Sequence, residues 1–153
     1  MEELKNLLVE QSSKTPHVDL NQFNGELILS GKSIPENAAK IYEPILNWAT
    51  EYVKDARQTT NLRLNLEYFN TASSLWLAKI IKTLTRINEP DYVLIIHLYI
   101  PLEDYDDIEE FGDIKDSFVP ITDISQGALV SIGIKLYAIN DNGEIIKDTF
   151  VFI

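Results

Sequence analysis

The 153-residue chain contains no cysteine, so disulfides, zinc–thiolate sites and thiol catalysis are excluded, and nothing points to an oxidising compartment. Basic residues are scarce. Thirteen Lys and Arg stand against 24 Asp and Glu, giving a formal net charge of -11 and an isoelectric point near 4.5. Nucleic-acid binding usually rests on a basic patch that releases counterions, so phosphate backbones and acidic membranes are disfavoured as partners. Long apolar runs are also missing, because the longest, "YVLIIHLYI", is far too short to span a bilayer as a helix. The opening "MEELKNLLVEQ" carries acids where a signal peptide needs bases. A soluble cytoplasmic protein is expected. The length suits one domain that buries a core unaided, and 45% hydrophobic with 24% charged residues is ordinary globular composition.

Enzyme signatures are absent as well: there is no glycine-rich phosphate loop, no G-x-S-x-G elbow and no H-E-x-x-H. The only histidines are His17 and His97. His97 sits among Ile96, Leu98 and Tyr99, which predicts a hydrogen-bonded core histidine, and His17 is expected at a strand end. The acids Glu103, Asp104, Asp106, Asp107, Glu109 and Glu110 lack the glycine and closing Glu of an EF-hand loop, so a solvated acidic helix is expected and no metal or cofactor is assigned. Tyr99, Tyr105 and Phe111 are open to two readings, an aromatic contact patch or core packing.

What is present is periodicity. Residues 1–14 read as an optional helical arm through Leu4, Leu7 and Leu8. "HVDLNQFNGELILSG" predicts a hairpin around Asn24-Gly25. "IPENAAKIYEPILNWATEYVKDA" places Ala38, Ile41, Ile45, Trp48, Ala49, Tyr52 and Ala56 at helical spacing, with Pro35 in the first turn; Pro44 predicts a kinked or two-piece helix. In "TNLRLNLEYFN", Leu62, Leu64, Leu66 and Tyr68 alternate with polar residues, as in a strand covered on one face. A second helix is predicted over residues 71–88, with Leu77, Ile80, Ile81, Leu84 and Ile87 inward. Residues 92–100 are apolar at both alternating positions, which suits a central strand. "PLEDYDDIEEFGDIKDS" places Ile108, Phe111 and Ile114 at helical intervals, and "FVPITDI" reads as a short edge strand. "ALVSIGIKLYAINDNGEIIKDTFVFI" gives a second hairpin around Asn142-Gly143.

The predicted fold is therefore α/β, a mixed sheet with a parallel centre, helices packed on it and a C-terminal hairpin. The loops "SIPEN", "NTASS" and "PLEDYDD" leave the carboxyl edge of the parallel strands, where sites on open α/β sheets lie. At "NTASS", Asn70 or Thr71 suits a helix N-cap. A phosphate on Thr71 would sit beside unpaired N–H groups at the positive end of the helix dipole, so the helix would tolerate it.

The blocks "SIPENAAKIYEPILNW", "LEYFNTASS" and "HLYIPLEDYDDIEEFG" resemble the SiaC-like family of bacterial regulatory phosphoproteins over roughly residues 15–120, a family whose domain is similar to STAS-type anti-sigma-factor antagonists. The resemblance implies a non-enzymatic partner-switching adaptor in biofilm and cyclic-di-GMP signalling. A dedicated Ser/Thr kinase would phosphorylate Thr71, a metal-dependent Ser/Thr phosphatase would reverse this, and the unmodified protein would bind and activate a diguanylate cyclase. The family's N-T-S-S motif departs here at Ala72, and its following lysine is replaced by Leu75 or Trp76. The expected partner surface comprises Pro35, Glu36, Asn37, Asn70, Ser73 and Ser74 around Thr71. Residues 1–125 are assigned to the STAS-like domain and 126–153 to a hairpin extension packed on it. Two alternatives stand beside this reading: a structural module, including a homodimer formed through the hairpin, and a small-ligand-binding domain using the same loops.

Overall fold

Alternation in "HVDL" and "ELILS" produces two antiparallel strands, β2 (His17–Leu20) and β3 (Glu26–Ser33), joined by a loop that its own side chains stabilise. The Asn21 side-chain oxygen accepts from the N–H groups of Phe23 and Asn24, and Gly25 closes the loop at φ +71°. An L residue is strained at that φ, and a Cβ there would lie 2.4 Å from the Thr59 carbonyl oxygen. The computed structural model describes residues 4–111 and 119–153. Five further strands, β1 (Leu7–Val9), β4 (Thr59–Phe69), β5 (Val93–Pro101), β6 (Ser131–Ile139) and β7 (Ile145–Phe152), complete one sheet in the order β1-β2-β3-β4-β5-β6-β7. Strands β3 to β6 run parallel and the outer pairs antiparallel, so the expected mixed sheet with a parallel centre is found.

The parallel strands follow one another in sequence order. Right-handed crossovers that always step the same way place every connecting helix on one face. These are α1 (Ala38–Tyr52), α2 (Thr71–Leu84), α3 (Leu102–Phe111) and α4 (Val119–Ile124). The core lies between that layer and the inward residues of the sheet, with Leu27, Leu29, Leu62, Leu64, Leu94, Ile96, Ile132, Ile134 and Leu136 facing Tyr42, Ile45, Leu77, Ile80 and Leu84. Burial of each such aliphatic side chain contributes roughly 1.5–3 kcal/mol relative to exposure.

Several local expectations are corrected. The N-terminal arm is not helical: Leu7, Leu8 and Val9 pair with Leu20, Asp19 and Val18, because the β2 edge offers hydrogen bonds to a run too short to propagate a helix. Helix α1 is continuous through Pro44 rather than in two pieces, and it starts after Asn37, beyond Pro35. One missing N–H is outweighed by burial of Tyr42, Ile45, Trp48, Ala49 and Tyr52, with Trp48 stacked on Tyr52 at 4.9 Å. Tyr42, rather than Ile41, takes the fully buried place on that face. "FVPITDI" forms α4 rather than a strand, since Pro120 falls in the first helical turn, where no N–H is needed. Finally, Tyr68 is 63% exposed rather than inward. The β3–β4 register slips between Gly31 and Lys32, so Lys32 is opposite Tyr68, and this bulge breaks the alternation. The second helix ends at Leu84, short of Asn88, although Ile87 is still buried. The extension of the third helix to Ile114 and the packing of Phe111 lie outside the described residues.

The C-terminal run forms the hairpin read from Asn142-Gly143, with Gly143 at φ +78°. Its first strand, β6, lies inside the sheet between β5 and β7.

Candidate functional site

Ser33 and Phe69 are paired at the carboxyl ends of β3 and β4, which brings the loops that follow them together. Asn70 is the N-cap of α2: its side-chain oxygen accepts the Ser73 N–H at 2.9 Å, its side-chain amide donates to the Pro35 carbonyl at 3.3 Å, and its backbone N–H donates to the Ser33 carbonyl at 3.0 Å. Beneath it, Ser33, Ser73 and Tyr42 form a buried hydroxyl cluster. The Ser73 hydroxyl donates to the Ser33 carbonyl at 3.0 Å while its oxygen lies 2.9 Å from the Ser33 hydroxyl, which also bonds the Tyr42 phenol. One proton order satisfies all of them: Tyr42 donates to Ser33, Ser33 to Ser73, and Ser73 to the Ser33 carbonyl. Burial holds the Tyr42 pKa above its ordinary value, so the phenol keeps its proton.

Thr71 is left as the first residue inside the helix, with an exposed side chain. Its own N–H and that of Ala72 have no acceptor among the described residues, whereas Ser73 is capped by the Asn70 side chain and the Ser74 N–H bonds the Asn70 carbonyl. Glu36 and Asn37 are exposed nearby in the chain leading into α1, Glu36 paired with Lys14 at 3.3 Å. Ser74 is half-buried, with its hydroxyl donating to the Asn70 carbonyl. Ser73 and Pro35, expected on the surface, are buried. The accessible positions of the expected set are therefore Glu36, Asn37 and Thr71, with Asn70 and Ser74 partly open.

Periodicity alone did not disclose the apolar residues at this edge. Ile34 (39% exposed), Phe69 (55%) and Leu75 (62%) join Tyr68 as large exposed hydrophobics in the segments flanking Thr71. Lys32 lies over the Tyr68 ring at 5.9 Å and Lys79 over Trp76 at 4.7 Å, so cations accompany the aromatics. The available signal was the apolar pair Tyr68-Phe69, which strict alternation cannot bury on one face.

The acidic helix does not complete this site. α3 packs on β5 and β6, and Asp106 and Glu109 hold Lys147 of β7 at 2.7 and 2.9 Å. Tyr105 and Tyr99 form no common patch. Tyr105 is buried with Lys147 over its ring, while Tyr99 stacks on Tyr137 at 4.4 Å on the opposite face of the sheet.

That helix-free face carries a second polar cluster. Arg63 donates to Glu26 at 2.8 Å and to the Tyr99 hydroxyl at 2.9 Å. His97 is buried; its Nε2 lies 2.7 Å from the Asn61 side-chain oxygen and its Nδ1 2.7 Å from the Tyr137 hydroxyl. Asn61 can only accept there, so Nε2 carries the proton and Tyr137 donates to Nδ1. Burial, reinforced by the Arg63 charge, lowers the His97 pKa to about 4. The neutral ring has both nitrogens satisfied, which is the core histidine read from its apolar neighbours rather than a free base. Two surface clefts of about 360 and 470 Å³ open at the amino ends of the parallel strands, lined by Arg86, Asn88 and Gly127 and by Arg57, Gln58 and Tyr92 respectively; neither includes Thr71. Among the described residues no cluster of three or more His, Asp or Glu is placed to hold a metal, and no helix is long and apolar enough to cross a membrane.

Comparison with known proteins agrees with this architecture. Residues 9–126 match the family of SiaC regulatory phosphoproteins. An uncharacterized protein of Pseudomonas aeruginosa (strain UCBPP-PA14) is 27% identical over 70 residues, which span 46% of this chain and 56% of that relative. Among solved structures, apo-SiaC from Pseudomonas aeruginosa superposes with a TM-score of 0.61 at 18% identity, covering 85% of this chain and 98% of that one. A SiaC structure in which the diguanylate cyclase SiaD is complexed with its activator SiaC, from the same organism, gives 0.64 at 17% identity, covering 86% and 99%. At these identities the superpositions establish the fold.

Proposed function

Starting from the SiaC family of regulatory phosphoproteins, to which this chain belongs, we propose that it is a non-enzymatic cytoplasmic adaptor whose partner choice is set by phosphorylation of Thr71. The observation that carries this reading is a division of labour at the start of α2. Asn70 and Ser73 are committed to holding the junction, while Thr71 projects into solvent and its own N–H and that of Ala72 have no acceptor among the described residues. A phosphoryl group there adds nearly two negative charges that the helix terminus tolerates, so the fold persists while the surface changes.

The unmodified protein binds and activates a diguanylate cyclase, a reading supported by the similar SiaC, which is the activator of SiaD in their complex. A Ser/Thr kinase and a metal-dependent phosphatase set the state of Thr71. Tyr68, Phe69, Leu75 and Ile34 supply apolar anchor area around the switch, with Glu36, Asn37 and Ser74 at its rim. A phosphate at the centre of such an apolar interface must give up its water when the partner docks, a cost the exposed free form does not bear, and this weakens that complex.

Calorimetric titration of the cyclase with wild type, Thr71→Ala, Thr71→Asp and enzymatically phosphorylated protein tests the proposal. Wild type and Thr71→Ala should bind alike, and the phosphorylated form at least tenfold more weakly, with Thr71→Asp between them. Equal binding by folded phosphorylated and unmodified protein would remove the switch.

A further inference from the structure

The two edges of the sheet are built differently. β1 offers three residues, the usual short blunted edge. β7 offers eight, without proline, and its outer side has no strand beside it among the described residues. Its orientation follows from the terminal ladder bond, in which the Ile153 N–H donates to the Ile132 carbonyl at 3.0 Å. Alternation then turns Val151 and Thr149 toward β6, and turns the N–H and C=O groups of Asp148, Phe150 and Phe152 outward.

The side chains on this strand fit the same pattern. Phe150 and Phe152 are 42% and 63% exposed on the helix-free face, their rings edge to face at 4.8 Å. Lys147 would ordinarily guard such an edge, but Asp106 and Glu109 of its own α3 hold it. Within a chain of formal charge -11, Ile145–Phe152 itself carries only one Lys and one Asp; Lys147 points with Asp106 and Glu109 to the helix face, so Asp148 is the one charged side chain beside Phe150 and Phe152 on the helix-free face of the strand.

The geometry points to β7 as a self-pairing edge: two copies of this chain join β7 to β7 antiparallel about a two-fold axis at Phe150, making one continuous sheet. In that register Phe150 lies opposite Phe150 of the second copy, and Asp148 opposite its Phe152. Every outward backbone group of Asp148, Phe150 and Phe152 then meets an outward partner, and the four phenylalanines form one apolar seam. Centring the axis on Asp148 instead would set two carboxylates opposite each other, which disfavours that register. The self-complementary register, which pairs phenylalanine with phenylalanine and keeps the two Asp148 carboxylates apart, favours a second copy over a foreign strand as occupant.

Sedimentation equilibrium and amide hydrogen exchange on the full chain test this. At roughly 100 µM the wild type should have twice the monomer mass, with the outward amides of Asp148, Phe150 and Phe152 protected as strongly as those of Thr149 and Val151. Asp148→Pro removes an N–H that β6 does not use, and Phe152→Lys adds charge at an exposed position. Both variants should be monomeric with unchanged circular dichroism. A monomeric wild type, rapid exchange at the three outward amides, or a dimer that survives in a folded variant each overturns the proposal. Exchange on the wild type decides the matter even where a variant fails to fold. The outcome is separate from cyclase binding, which concerns Thr71 at the carboxyl ends of β3 and β4.

Discussion

Asn70 bonds the loop before α1, the end of β3 and the first turn of α2, whereas the Thr71 side chain is exposed and caps nothing. Asn70→Ala should therefore cost about 1 kcal/mol or more, and Thr71→Ala less than about 0.5 kcal/mol, in urea unfolding. The sequence offered both as the cap; only the backbone at Asn70, extended at ψ 174°, decides between them. His97 gives a pH prediction at the same scale. Its pKa is lowered to about 4 in the folded protein, below the ordinary 6.5, so the unfolded chain binds this proton more readily. The stabilising contribution is complete above pH 6.5 and is lost as the pH falls toward 4. Wild type should lose more of its thermal stability between pH 7 and 4.5 than His97→Gln does, because the carboxylates common to both titrate in the same range. An NMR titration should show the His97 ring still neutral at pH 5.5.

At the scale of elements, amphipathic spacing was the reliable guide. The inward face of α2 and the doubly apolar β5 were read from one-dimensional periodicity, because a buried stripe must recur at 3.6 or 2 residues. Sequence pattern and structure differ where local propensity and tertiary demand diverge. Residues 7–9 pair as a strand because β2 presents an edge, and residues 119–124 turn helical because their proline falls where no N–H is required. Pro44 is the sharpest conflict, as an exposed interior proline in a helix that stays continuous. Pro44→Ala restores a donor facing the Lys40 carbonyl and removes the ring clash. It should stabilise the protein by about 1–3 kcal/mol, read as a higher urea midpoint at unchanged slope.

On the scale of the whole molecule, the C-terminal hairpin is unequal in its two halves. β6 buries Ile132, Ile134, Leu136 and Ala138 against the helix layer, while most of β7 is exposed. Deleting residues 126–153 should abolish cooperative unfolding, whereas ending the chain after Glu144 should leave a folded protein with a lower midpoint; circular dichroism in urea distinguishes them. Composition, periodicity and turn dipeptides were enough to specify a mixed α/β sheet with a parallel centre, the order of its main helices, the core histidine and the junction at Thr71. Each is encoded in residues near one another in the chain. Tertiary structure alone placed Ser33 under Ser73, turned Tyr68 and Phe69 outward at a bulge, drew the acidic helix away to Lys147 and left β7 at an edge. All of these depend on contacts between segments distant in sequence, whose register no local pattern records.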